Sequence, residues 1–181
     1  MLKSRKILWW KWHSSTPVHI LLVGEPGIGK TQFLLAIKDR FKNKSSYVIG
    51  ANATKAGLVE ALFRDSPKYL LIDEIETLDS QHQEALLNLM ETGIVSETKK
   101  TSTRETKMVT WVFATSNGTD LLEPLLSRFL VLHLKAYTDD EFKQIAVSRL
   151  LEEGINEDLA MEIAAHETRT YEKTKQNEGR G

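Results

Sequence analysis

The 181-residue chain contains no cysteine. That absence removes disulfides, thiolate zinc sites and cysteine nucleophiles together, and it suits a reducing cytoplasm. No apolar run approaches the roughly 20 residues that span a bilayer, so no membrane role is expected. Neither sign of charge is in excess: 24 Lys and Arg against 25 Asp and Glu leave a formal net charge of −1. The whole molecule is therefore no polyelectrolyte binder of nucleic acid, and any such binding must come from a local patch. No internal repeat is visible. The N-terminus, Met1 to Trp12, is basic and then aromatic, but its apolar part is short and interrupted by Lys11, which makes a poor signal peptide. What is present is ordinary for a globular protein: 41% hydrophobic and 27% charged residues, with length for one full core and a small appendage.

Residues 24 to 31 read Gly24-Glu25-Pro26-Gly27-Ile28-Gly29-Lys30-Thr31, a complete G-x-x-x-x-G-K-T phosphate loop. The apolar run Val18 to Val23 before it reads as a buried strand, and Gln32 to Phe41 after it carries apolar residues at helical spacing. The glycines let successive N–H groups curl around an oxyanion, and the helix start adds partial positive charge. Lys30 can reach the β- and γ-phosphates and the Thr31 hydroxyl can ligate Mg²⁺, which makes residues Glu25 to Gln32 the expected ATP-phosphate cradle.

Strand and helix patterns alternate along the chain. Strand-like runs fall at 19–23, 46–49, 68–72, 109–115 and 129–133, with helix-like runs at about 30–42, 55–64, 80–90 and 122–127. This alternation predicts a three-layer αβα sandwich around a parallel five-stranded sheet, over residues 1–136. From Thr138, which forms a capping box with Glu141, only helices are expected, at about 139–152, 157–165 and 168–176. Residues 137–181 are thus expected to form a small helical module with a frayed, polar end.

Tyr69-Leu70-Leu71-Ile72 ends in Asp73 and Glu74. A carboxylate at a strand end beside a phosphate loop can hold Mg²⁺, a role that falls to Asp73, while Glu74 can orient and polarise the attacking water. Val112 to Ser116 is a second apolar strand, ending at Asn117, whose amide can bond a γ-phosphate or that water. Arg128 lies between a short helix and a strand, either exposed or projecting toward a neighbouring subunit's nucleotide.

These four elements in this order resemble the AAA+ ATPases, from Val18 to about Lys175. The resemblance implies that Lys30 and Thr31 are Walker A residues and that Asp73 and Glu74 are Walker B, with Glu74 the catalytic base. Asn117 falls at the sensor-1 position, and Arg128, in Ser127-Arg128-Phe129, at the arginine finger acting in trans. The helices after Thr138 look like the family's lid, and Arg169, at the start of its third helix, falls at the sensor-2 arginine, although Glu167 and Thr168 replace the usual small residues before it. The family implies ATP, Mg²⁺ and a homo-oligomer, a hexamer in its commonest form.

Leu86 to Thr106, followed by a strand-like run from Lys107 to Thr110, makes a plausible hairpin around a polar tip. A hairpin there looks like that of the bacterial Holliday-junction branch-migration helicase and of the minichromosome maintenance helicases. Lys99, Lys100 and Arg104 would form a small positive tip able to contact DNA phosphates. Equally open is a solvated loop whose charges Glu97 and Glu105 offset. Two departures from the family stand out. Only 17 or so residues precede the loop, with Trp9, Trp10 and Trp12 expected to pack in the core, close the base pocket or form a partner patch. No DNA-binding domain follows the lid, so a bare motor domain or a fragment of a longer protein is expected.

Overall fold

The computed structural model describes residues 17–99 and 102–166. Trp9, Trp10, Trp12, Lys100, Arg169 and the helix expected at 168–176 lie outside these residues, as does the Lys99 side chain. The described chain divides between Lys135 and Ala136 into two compact units.

In the first unit five strands form one sheet: β1 (His19–Val23), β2 (Ser45–Ile49), β3 (Tyr69–Asp73), β6 (Trp111–Ser116) and β7 (Phe129–His133). Two further strands, β4 (Ile94–Lys99) and β5 (Ser102–Lys107), pair antiparallel as a separate hairpin. The sheet runs β2-β3-β6-β1-β7 and every neighbouring pair is parallel. The helices are α1 (Lys30–Phe41), α2 (Lys55–Asp65), α3 (Ser80–Thr92) and the single turn α4 (Glu123–Leu126).

The layers follow from side-chain alternation. All of β1 is buried, so both of its faces need cover. Leu21 and Val23 face a core built with Leu58 and Leu62 of α2, Leu86 and Leu89 of α3, and Leu125 of α4. Ile20 and Leu22 face the other way, onto Leu34 and Ile37 of α1. Helices on both faces of a five-stranded parallel sheet are the architecture expected from the alternation.

His19 is a buried polar exception at the start of β1. Its Nδ1 accepts the Val112 N–H at 3.1 Å, tying β1 to β6. Burial pushes its pKa down to about 4, against a hydrogen bond to the Met90 backbone. The ring is therefore neutral at pH 7.

The run 107–110 is not a continuation into β6. The Met108 N–H bonds Gly93 O at 2.8 Å, next to the last hairpin pair, and the Thr110 hydroxyl bonds Pro67 O at 2.9 Å, so residues 108–110 belong to neither strand and β6 begins only at Trp111. Arg104 also departs from expectation. Register places it opposite Glu97, three pairs in from the hairpin end. Its guanidinium bonds Glu97 at 2.6 Å and also Glu60 of α2, and lies 4.2 Å from the Phe63 ring centroid. Arg104 fastens the hairpin to α2 rather than belonging to a free positive tip.

The second unit, over its described residues, is helical. Helix α5 (Asp139–Glu152) opens on the capping box of Thr138 and Glu141, and residues 157 to 166 form α6. Ala160 and Ala164 are fully buried in it.

Candidate nucleotide site

Parallel register brings three strand ends to one place. Val23 of β1 pairs with Ser116 of β6, and Ile72 of β3 pairs with Ala114. The loop after β1, the carboxylates after β3 and the amide after β6 therefore meet beyond the carboxyl edge of the sheet, where open α/β sheets bind ligands. They surround a cavity of about 360 Å³ lined by Pro26, Gly27, Gly29 to Gln32, Asp73, Glu74, Glu76 and Thr115 to Asn117.

Gly29 caps α1 with φ 85°, a left-handed conformation that a side chain would strain. The turn aims the first N–H groups of α1, which have no intrahelical acceptors, at the loop. Glu25 and Ile28 do not line the cavity. Glu25 contributes its carbonyl, and Ile28 is buried beneath the loop.

Lys30 is buried, and its ammonium donates to Gly24 O at 2.6 Å, Glu25 O at 2.7 Å and Asn117 Oδ1 at 3.0 Å. Burial holds its pKa below the usual lysine range, against the opposing pull of Glu76 and Asp73. Two residues predicted from separate stretches, Lys30 and Asn117, are thus in direct contact.

Asp73 is buried at the end of β3 and receives hydrogen bonds from Tyr47 Oη at 2.8 Å and from the Thr115 hydroxyl. Burial pushes its pKa up, but the hydrogen bonds from Thr115, Tyr47 and Thr31 outweigh it and hold the carboxyl below its usual range. Tyr47 is pushed up to about 12 by burial, by its bond to Asp73 and by the Asp73 and Glu74 charges, so it stays a neutral donor. An ionised carboxylate beside the Thr31 hydroxyl suits a hard cation that takes its remaining ligands from phosphate and water. Among the described residues no cluster of three His, Cys, Asp or Glu offers an all-protein metal cage.

Glu74 has φ 54°, a left-handed conformation that costs a non-glycine residue about 1–2 kcal/mol. Neighbours on both sides hold it there: its N–H bonds Thr115 Oγ1 at 3.1 Å, and its carbonyl accepts from the Thr77 hydroxyl at 2.7 Å. Gly50, just after β2, packs so closely that a Cβ would overlap the Glu74 carbonyl oxygen. Strain of this kind gathers at functional sites.

Arg128 does not line this cavity. It forms an ion pair with Glu91 near the end of α3. Sequence reasoning missed Tyr47, Thr115, Glu76 and Gly50. Thr115 and Glu76 adjoin the motifs that were singled out, whereas Tyr47 and Gly50 reach the site only through the β2–β3 pairing.

Residues 5–151 match the family described as the MCM P-loop domain. The chain is 34% identical over 157 residues to the Holliday junction branch migration complex subunit RuvB of Fusobacterium nucleatum, covering 81% of this chain and 47% of that protein. It is 29% identical over 167 residues to the probable DNA helicase MCM9 of Oryza sativa subsp. japonica, covering 77% of this chain and 25% of that protein. The chain thus spans half or less of the curated relatives it matches. Among solved structures, two RuvB mutants of Thermotoga maritima superpose with TM-scores of 0.65 and 0.64, at 24% and 27% identity, over 89% of this chain and 53% of theirs.

Proposed function

The chain belongs to the MCM P-loop domain family, an AAA+ group, and on that premise we propose that it is an ATP-hydrolysing motor domain acting on DNA as a ring-like oligomer. The observation that carries this reading is the convergence of Lys30, Asp73, Glu74 and Asn117 on one cavity. In this reading the loop N–H groups and Lys30 hold the phosphates. Thr31 and Asp73 would hold Mg²⁺, which would offset the charge of the phosphates. Glu74 accepts a proton as water attacks the γ-phosphorus and ADP leaves. Asn117 touches the γ-phosphate or the water, and Arg128 reaches the nucleotide of the adjacent subunit, where it stabilises developing charge. Arg169 completes the phosphate contacts from the helical lid, which we assign to residues 137–181, with the nucleotide-binding core at 1–136. A cytoplasmic protein accords with the cysteine-free sequence and with the described helices, none of which is long and apolar enough to cross a membrane.

The DNA contact falls to Lys99 and Lys100. Replacing both with Ala should weaken DNA binding alike across sequences and flatten the log-affinity against log-salt slope by about 1.8 per engaged subunit. An unchanged slope would move the contact elsewhere. One observation favours a second reading, a nucleotide-dependent remodeller or loader of protein complexes with no DNA contact: the carboxylates of Glu97 and Glu60 neutralise Arg104. ATP turnover measured with and without DNA, beside the mass of the ATP-bound assembly, separates the two. Stimulation by DNA supports the motor, and indifference to DNA supports the remodeller.

A further inference from the structure

Glu76 stands three residues beyond Asp73, in the short turn Ile75–Thr77, and lines the same cavity. Its Oε1 accepts the backbone N–H of Asn117 at 3.0 Å. The side chain of that same Asn117 meets the Lys30 ammonium. The other carboxylate oxygen, Oε2, is buried and has no hydrogen-bond partner among the described residues. A buried carboxylate oxygen left unsatisfied is costly, so something else must keep the group in place.

The backbone around Asn117 explains the need. Asn117 follows the last residue of β6, beyond the β3 register, which ends at Ile72 and Ala114. The chain turns at once, with the Ser116 hydroxyl bonded to Gly118 O at 2.5 Å. The carboxylate of Glu76, from the turn that also holds Glu74, takes up the Asn117 N–H instead.

We infer that Glu76 is a positioning residue for Asn117, fixing the strand-end backbone so that the amide faces Lys30 and the terminal phosphate. This rests on the reading of Asn117 given above. It also joins two parts of the site: Glu74 and Glu76 share one turn, so the residue that activates water and the residue that senses phosphate are set by the same piece of backbone.

The test compares Glu76→Ala, Glu76→Gln, Asn117→Ala and the double variant Glu76→Ala with Asn117→Ala, in the full chain. Glu76→Ala should lower kcat for ATP about tenfold, as for one ordinary hydrogen bond, with KM nearly unchanged. Glu76→Gln keeps an acceptor oxygen and should retain most of the turnover. The double variant should be no slower than Asn117→Ala alone, because Glu76 acts only through the Asn117 side chain and has nothing left to position once that amide is gone. A multiplicative loss, or a fully active Glu76→Ala beside an impaired Asn117→Ala, would overturn the inference and leave the assignment of Asn117 intact. Parental turnover in Asn117→Ala would overturn that assignment and the inference with it. Should Glu76→Ala fail to fold, the isosteric Glu76→Gln decides: the Asn117 amide proton should move upfield when its charged acceptor becomes neutral, and an unmoved resonance refutes the contact.

Discussion

Lys30 and Glu74 line the same cavity, and single substitutions should separate the tasks proposed for them. Lys30→Ala removes the only ammonium of the loop and should abolish tight ATP binding; titration with a fluorescent ATP analogue checks this. Glu74→Gln keeps shape but is a far poorer base. It should bind ATP at near-parental affinity and hydrolyse it very slowly, as single-turnover measurements would show. His19 supplies a third outcome, in stability. Its folded pKa, about 4, lies below the ordinary histidine value of 6.5, so the unfolded chain takes up the proton first as pH falls. Its contribution is intact above pH 6.5 and is lost progressively down to about pH 4, reaching about 3 kcal/mol. Denaturant midpoints across that window should fall, and His19→Asn, which keeps an acceptor for Val112, should flatten the dependence.

At the level of elements, the geometry that matters is the close approach of β2 to the end of β3. Gly50→Ala would push on the Glu74 carbonyl and on Thr77. Turnover should drop by up to about 10²-fold with little change in nucleotide affinity, since misplacing a reacting group by about 1 Å has that effect. Parental turnover in Gly50→Ala would show that the Glu74 turn tolerates displacement. The same elements mark what the sequence makes legible. Five apolar runs bounded by Gly, Pro and charged residues announce the strands, and the loop announces itself because phosphate chemistry demands particular residues at particular spacing. Tyr47 and Gly50 carry no such mark. They serve the site because β2 lies beside β3, with Ile49 opposite Asp73, and strand order is a tertiary fact. For a related reason the sequence leaves Arg104 open between a positive tip and a charge-offset loop. Its neighbours in the chain are polar and suggest a tip, but cross-strand register gives it Glu97, and packing gives it Glu60 and Phe63.

For the whole assembly, the question is whether one subunit completes the site of another. Arg128→Ala should leave ATP binding nearly intact and cut turnover about 10³-fold, as for arginine fingers generally. Mixing it with Lys30→Ala creates interfaces that carry one intact loop and one intact finger, so activity should reappear and peak at intermediate ratios. Inactivity at every ratio, with mixed assembly confirmed by mass, would place Arg128 outside the reaction. The placement of the hairpin bears on how this fold can vary. Strands β3 and β6 are neighbours in the sheet, although all of α3, β4 and β5 lies between them in the chain. The excursion leaves and re-enters the sheet side by side, and its return is pinned by the bonds of Met108 to Gly93 and Trp111 to Lys68. Loops whose ends meet tolerate changes of length and composition at small entropic cost. The hairpin is therefore a segment that evolution or grafting can exchange while Asp73 and Asn117 keep their places.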